Sequence, residues 1–152
     1  MLIPARLGAV PEVSTEGPQR QLTDVAPPEL WGRLVASVFA LPHVVEWVSS
    51  VSPITSRAVL FDDLRSVAVP ETSLAPDGPL EPVHLHGVFD TSTHLCLPAD
   101  RGAEIIALGW AIPHQYGDFG TELFVYGPRN SIELAVVLQL VKESIAFARA
   151  NN

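Results

Sequence analysis

Four of the five histidines in this 152-residue chain fall between Pro82 and Arg129, beside a Trp, a Tyr and an Arg. The stretch reads Pro82-Val-His84-Leu-His86, then Asp90-Thr-Ser-Thr-His94-Leu-Cys-Leu-Pro98, then Gly109-Trp110, His114 and Tyr126-Gly-Pro128-Arg129. Imidazole supports two chemistries near neutral pH. His84, His86, His94 and His114 supply enough ring nitrogens for Zn²⁺, Fe²⁺ or Cu²⁺, with Asp90 or Glu122 available to complete a facial triad. Alternatively, a neutral histidine takes the proton of a phenol or enol without any metal. Arg129 would then hold an anion in bidentate fashion, and Phe89, Trp110 and Tyr126 would form an apolar slot for a flat ligand. Each residue also has a plain structural role open to it. Trp110, His86 and His94 fit a core, and Tyr126 and Arg129 fit a tie between a strand end and the last helix.

The elements that must position these groups follow from periodicity. His84 and His86 are two apart on a strand from Pro82 to Gly87, so both point to one face. Thr93 to Leu97 is the next strand, with His94 and Cys96 on one face and Asp90 to Thr93 read as the turn of a hairpin. That hairpin puts three histidines on one surface. Pro98 to Leu108 is a short helix with Gly109 as its C-cap. Residues 110–120 are an irregular strand or loop carrying His114, Leu123 to Tyr126 is a strand, and Asn130 or Ser131 caps a final helix with Leu134, Val137, Leu138, Val141 and Ile145 on one stripe.

Upstream, Leu30, Leu34, Val38 and Leu41 recur at helical spacing after Pro27-Pro28, and Pro42 stops that helix. Residues 43–51 suit a strand or a short helix, with His43 as a surface or capping residue. Ala58 to Phe61 is a short buried strand ending in an acidic turn at Asp62-Asp63. Glu71 to Glu81 is a loop rich in Pro, Gly and Asp, readable as a lid or rim or as a mobile connector. Residues 1–27 are punctuated by Pro and Gly and read as a flexible leader, draped in part on a domain spanning 28–152. The expected fold class is α+β: a single domain, mainly an antiparallel sheet with about three helices packed on it.

Bulk properties narrow the function classes. A 47% hydrophobic content is globular, and the length suffices for one domain with its own core. Net charge is −8, with Lys142 the single lysine, so a face that neutralises phosphates is missing and nucleic acid and anionic membranes are unsuitable partners. The expected partner is a small molecule or another protein, with a small-molecule substrate preferred, and the sequence sets no oligomeric state. No apolar run reaches the roughly 18 residues of a membrane span, and Met1-Leu-Ile-Pro4 lacks the basic start of a signal peptide, so a cytoplasmic location is expected. Cys96, the only cysteine, makes no internal disulfide and reads as a buried small hydrophobe.

Taken together, His84-x-His86, Thr93-His94-Leu-x-Leu-Pro98, Gly109-Trp110 with His114 four residues later, and Tyr126-x-Pro128-Arg129 resemble the luciferase-domain family, small bacterial and fungal proteins that include the luciferases of bioluminescent mushrooms. The resemblance covers about Val83 to Ala148. It implies a small-molecule oxidoreductase that adds O₂ to a flat enolic or aromatic substrate such as a hydroxypyrone, with O₂ as co-substrate and no established cofactor. By type, His84, His86, His94 and His114 then fit the catalytic base, and Trp110 and Arg129 the slot and the cation. The chain departs from the family where Phe89 replaces a histidine of the mushroom enzymes, and where Ala111 and Gln115 replace a glycine and a proline. A non-catalytic binding or interaction module and a histidine-ligated metal enzyme are the alternatives.

Overall fold

The computed structural model describes residues 2–64, 68–115, 117 and 119–152; Met1, and Tyr116 and Asp118 of the loop expected at 110–120, lie outside the described residues. Among the described residues, three helices and six strands follow in the order α1 (Pro28–Phe39), β1 (Val44–Val48), β2 (Arg57–Phe61), β3 (Val83–Gly87), β4 (Asp90–Cys96), α2 (Ala99–Ala107), β5 (Ala111–Pro113), β6 (Glu122–Val125) and α3 (Ser131–Asn151), with a 3₁₀ turn at Pro70–Thr72. The strands form one antiparallel sheet in the order β1-β2-β3-β4-β6-β5, which is the expected α+β architecture.

Strict alternation divides the sheet into two unlike faces. Val59, Val83, Leu85, Leu95, Leu123 and Val125 point to one side, where they join Leu30, Leu34 and Val38 of α1, Ile105 of α2 and Leu134, Val137, Leu140, Val141 and Ile145 of α3 in one core. The other side carries a row of residues paired across the sheet, Ala58–His84–His94–Phe124–Ile112. The helices cover the first face; loops wall the second. That segregation frees the second face for chemistry, since loop walls tolerate polar lining that a helix-packed core does not.

Local chemistry explains the element ends. Pro28 opens α1 where no amide hydrogen is needed. Chain reversal after α1 passes through His43 at φ 59°, and its ring bonds Asp62 at 3.0 Å, so this histidine is a surface residue of the reversal. Gly109, at φ 80°, ends α2 in a Schellman motif: its N–H donates to Ile106 O at 2.9 Å and that of Trp110 to Ile105 O at 3.2 Å. The Asn130 side chain accepts from the amides of Ile132 and Glu133, both at 3.0 Å, and caps α3. Ser144 of α3 donates to Pro82 O at 3.0 Å, seating that helix beneath the start of β3.

Two local expectations are corrected. Asp90 to Thr93 is not a turn; β4 begins at Asp90, opposite Gly87, and Val88 and Phe89 make the reversal. Asp90 stays in the ladder because its carboxylate accepts from the amides of Gln21 and Ser92 and from the Ser92 hydroxyl, so turn-type chemistry serves a tertiary bond instead. The loop at 71–81 is not a loose connector. Thr72, Ser73, Leu74, Ala75, Leu80 and Glu81 are buried, the Leu74 amide donates to Glu81 O at 2.8 Å, and Ser73 Oγ accepts from the Glu81 amide at 3.0 Å. It is a pinned rim.

The segment before α1 lies against this unit. Ile3, Gln19, Gln21 and Ala26 are buried, Arg6 N bonds Leu108 O at 2.8 Å, and Ala26 N bonds Thr91 Oγ1 at 2.7 Å. Among the described residues no helix is long and apolar enough to cross a membrane.

Candidate functional site

Because β3 and β4 pair with His84 opposite His94, the alternation that aims His84 and His86 to one face aims His94 there too. Strand β6 pairs with β4 on one edge and β5 on the other, which carries His114, just past β5, to the same place. The ring centroids lie 5.2 Å apart for His84 and His86, 4.9 Å for His84 and His94, 4.3 Å for His86 and His94, and 4.4 Å for His94 and His114. Phe124 supports His94 from the neighbouring strand at 5.2 Å.

Three of the rings are braced from behind by a carboxylate. His84 Nδ1 donates to Glu81 Oε1 at 2.9 Å, His86 Nδ1 to Asp90 Oδ2 at 2.6 Å, and His114 Nδ1 lies 3.1 Å from Glu122 Oε1. A carboxylate accepts, so these bonds place the ring proton on Nδ1 and leave Nε2 as the lone-pair nitrogen. Glu81 is itself 0% exposed and also accepts from Ser49 Oγ at 2.6 Å. The Nε2 atoms of His84 and His94 are buried with no hydrogen-bond partner among the described residues.

Burial sets the electrostatics. It disfavours the imidazolium of His84, more than the bond to Glu81 favours it, and lowers that pKa. His94 is pushed well below its ordinary value by burial and then by the neighbouring His84, His86 and His114. The same two causes, burial first and His84 and His86 second, hold His114 at about 4. Burial pushes the Asp90 carboxyl up, but the bonds from His86, Ser92 and Gln21 outweigh it and hold it below the usual carboxylate range. The Cys96 thiol is pushed far up by burial, which fits a small core residue and not a nucleophile.

All four rings line one cavity of about 260 Å³, walled by Val51, Pro53, Leu74 and Phe119 among others. A second cavity of about 580 Å³ adjoins it and shares Pro18, Gln19, Pro53 and His86. One ring nitrogen each of His84, His86 and His94 lies within 4.8 Å of the others, so this trio can hold a metal ion; His94, His114 and Glu122 make a second such group, and exposed His43, Asp62 and Asp63 a third.

The three expected slot residues and the expected cation do not line the histidine cavity. Trp110 is buried in the core and donates its indole N–H to Pro4 O at 2.7 Å. Tyr126 is covered by the Arg6 guanidinium, 5.3 Å from its ring. Arg129 is paired with Glu133 and donates to Leu7 O. Phe89 stands 95% exposed at the hairpin tip and lines the larger cavity instead. Sequence reasoning missed Glu81, read only as a loop end, and gave Asp90 and Glu122 no bracing role. Their signal was spacing: a carboxylate three residues before His84 and four after His86.

The family model of the luciferase domain matches residues 79–144, a segment holding every imidazole and bracing carboxylate of the cavity. Among curated proteins, the luciferase of Armillaria ostoyae is 40% identical over 73 residues, covering 44% of this chain and 27% of that protein. The luciferase of Armillaria mellea is 38% identical over the same length and shares. The luciferase of Neonothopanus nambi is 29% identical over 162 aligned positions, covering 95% of this chain and 60% of that protein. The chain thus spans less than two thirds of the length of these relatives. No solved structure matches it.

Proposed function

Residues 79–144 belong to the luciferase-domain family, and on that premise we propose that the chain is an O₂-dependent oxidoreductase acting on a flat enolic or aromatic small molecule, such as a hydroxypyrone, in the histidine cavity. The observation that carries this reading is the convergence of four imidazoles from three segments on one hollow with apolar walls. The balance of the step is simple. An enolic O–H gives its proton to an imidazole nitrogen, the enolate carbon passes electrons to O₂, and the resulting peroxide takes the proton back. Substrate plus O₂ becomes a hydroperoxide, and the imidazole is regenerated.

The site suits each part. A positioned base contributes about 10²–10⁴-fold, and burial keeps His114 in the neutral form that accepts a proton. Apolar walls exclude water from the enolate and the peroxide. At about 260 Å³ the histidine cavity falls just short of the roughly 300–1,000 Å³ typical of ligand sites, and a second cavity of about 580 Å³ shares Pro18, Gln19, Pro53 and His86 with it. With a net charge of −8, small molecules rather than nucleic acids are the partners this surface admits.

The test is oxygen uptake with a hydroxypyrone, alongside anaerobic binding. Turnover that falls at least about 100-fold in His94→Ala and His114→Ala, with binding loosened far less, supports the reading. Saturable binding without any oxygen uptake in the parent protein would convert it into a binding module. Alanine variants of all four histidines that keep parental binding and turnover would remove the cavity from the chemistry altogether.

A further inference from the structure

We infer that His84, His86 and His94 form a site for one divalent first-row transition-metal ion, with its remaining coordination positions facing the cavity. This deepens the reading above, on which the use of the ion rests; its binding does not depend on turnover.

Four independent observations converge on it. The first is placement: the three rings hang from two paired strands, with one nitrogen of each within 4.8 Å of the others. Strands hold such ligands more firmly than loops do. The second is the pair of orphaned atoms. His84 Nε2 and His94 Nε2 are buried with no partner among the described residues, in residues only 2% and 4% exposed. An unsatisfied buried polar atom calls for an explanation, and an imidazole lone pair aimed at a cation is one. The third is the bracing. His84 spends Nδ1 on the buried carboxylate of Glu81 and His86 on the half-buried one of Asp90, the outer-shell arrangement that fixes tautomer and ring direction in metal-binding histidines. The fourth is charge. Three carboxylates back the imidazoles, yet no lysine or arginine is among the described residues that line the histidine cavity; Arg20 and Arg57 line only the second one. The expected cation, Arg129, is engaged elsewhere by Glu133. A metal dication supplies the positive charge that an enolate would need.

Donor chemistry narrows the ion. Three imidazoles without thiolate suit iron(II), zinc, cobalt, nickel or copper, whereas calcium and magnesium prefer oxygen ligands. The group of His94, His114 and Glu122 shares one ring with this trio but does not engage the orphaned His84 nitrogen. The His43 group is wholly exposed.

The experiment uses the full chain, purified, stripped with a chelator and titrated with Co²⁺ and Zn²⁺ under calorimetry and visible absorption. Expected are one equivalent bound and a cobalt d–d band marking nitrogen coordination. Binding should be lost in His84→Ala and His94→Ala and loosened about 10–100-fold in Glu81→Gln, with no change in His43→Ala. Far-UV circular dichroism verifies that each variant is folded, and the parent titration needs no variant at all. Absence of saturable binding by the parent overturns the proposal. So does binding that survives His84→Ala but is lost in His114→Ala. Oxygen uptake by stripped protein with no metal above trace overturns the ion's use and spares the oxidoreductase reading; tight binding without oxygen uptake overturns that reading and spares the metal site.

Discussion

Glu81→Ala in chelator-stripped protein probes the bracing network directly. The carboxylate is completely buried, accepts at 2.6 Å from Ser49 Oγ and at 2.9 Å from His84 Nδ1, and lies 3.4 Å from the Ser50 amide. Truncation removes two short bonds to a charged acceptor, each contributing about 1.5–3 kcal/mol, and strands two buried donors. It also removes the cost of burying the carboxylate. The net destabilisation is therefore about 3–5 kcal/mol, as for breaking other buried pairs. For a domain of this size each kcal/mol moves Tm by about 2–4 °C, so calorimetry should show a fall of roughly 6–20 °C. Glu81→Gln keeps one acceptor oxygen and should cost about half as much. Adding His84→Ala to Glu81→Ala should cost less than the two separate losses summed, since one of the stranded donors is then gone. A Glu81→Ala protein that melts within about 2 °C of the parent, or strict additivity in that cycle, would refute the network as drawn.

Three further outcomes follow from the geometry. His114 is held at about 4 by burial and the adjacent His84 and His86, so between its ordinary value near 6.5 and about 4 the unfolded chain binds the extra proton and the folded chain does not. Stability of the stripped protein should therefore be greatest above about pH 6.5 and fall by about 3 kcal/mol as pH drops to 4, with His84 and His94 acting in the same direction; urea midpoints at pH 7.5, 6 and 5 that coincide would contradict this. An ideal Cβ at Gly127 would lie 2.3 Å from Thr91 Oγ1 and 2.7 Å from Thr91 O, so Gly127→Ala should cost about 1–3 kcal/mol or more by overpacking, read as a lower denaturation midpoint. Trp110→Phe loses the indole bond to Pro4 O and should lower stability by about 1 kcal/mol and speed proteolysis near residues 2–8, while kcat and KM for a cavity substrate stay at parental values; a selective rise in KM would return the indole to the ligand slot.

Much of the fold was legible before any coordinate. Local rules govern local features. Leu30, Leu34 and Val38 follow a helical period and Pro42 forbids its continuation; Asn130 is the residue type that caps a helix; Gly109 accepts the positive φ that ends one. The two-residue spacing of His84 and His86 put both on one face, because alternation is a property of the extended backbone itself. The matching of His84 to His94 was anticipated only as a hairpin, and its turn was misplaced because Asp90 and Ser92 read as turn formers. Their side chains instead satisfy each other and the Gln21 amide, 69 residues away in sequence from Asp90.

What the chain could not declare alone is which distant groups meet. Insertion of β6 between β4 and β5 delivers His114 and Glu122 to the other rings, and no spacing within β5 or β6 announces that order. The surroundings of Trp110, Tyr126 and Arg129 come largely from the distant first residues: Pro4 O accepts from the indole N–H, Arg6 covers the phenol ring, and Leu7 O joins nearby Glu133 in holding the guanidinium. Residue type states what a side chain is able to do. Which partner it meets, and so whether it serves scaffold or site, is settled by long-range burial, where each buried polar group must find its complement wherever the fold has put one.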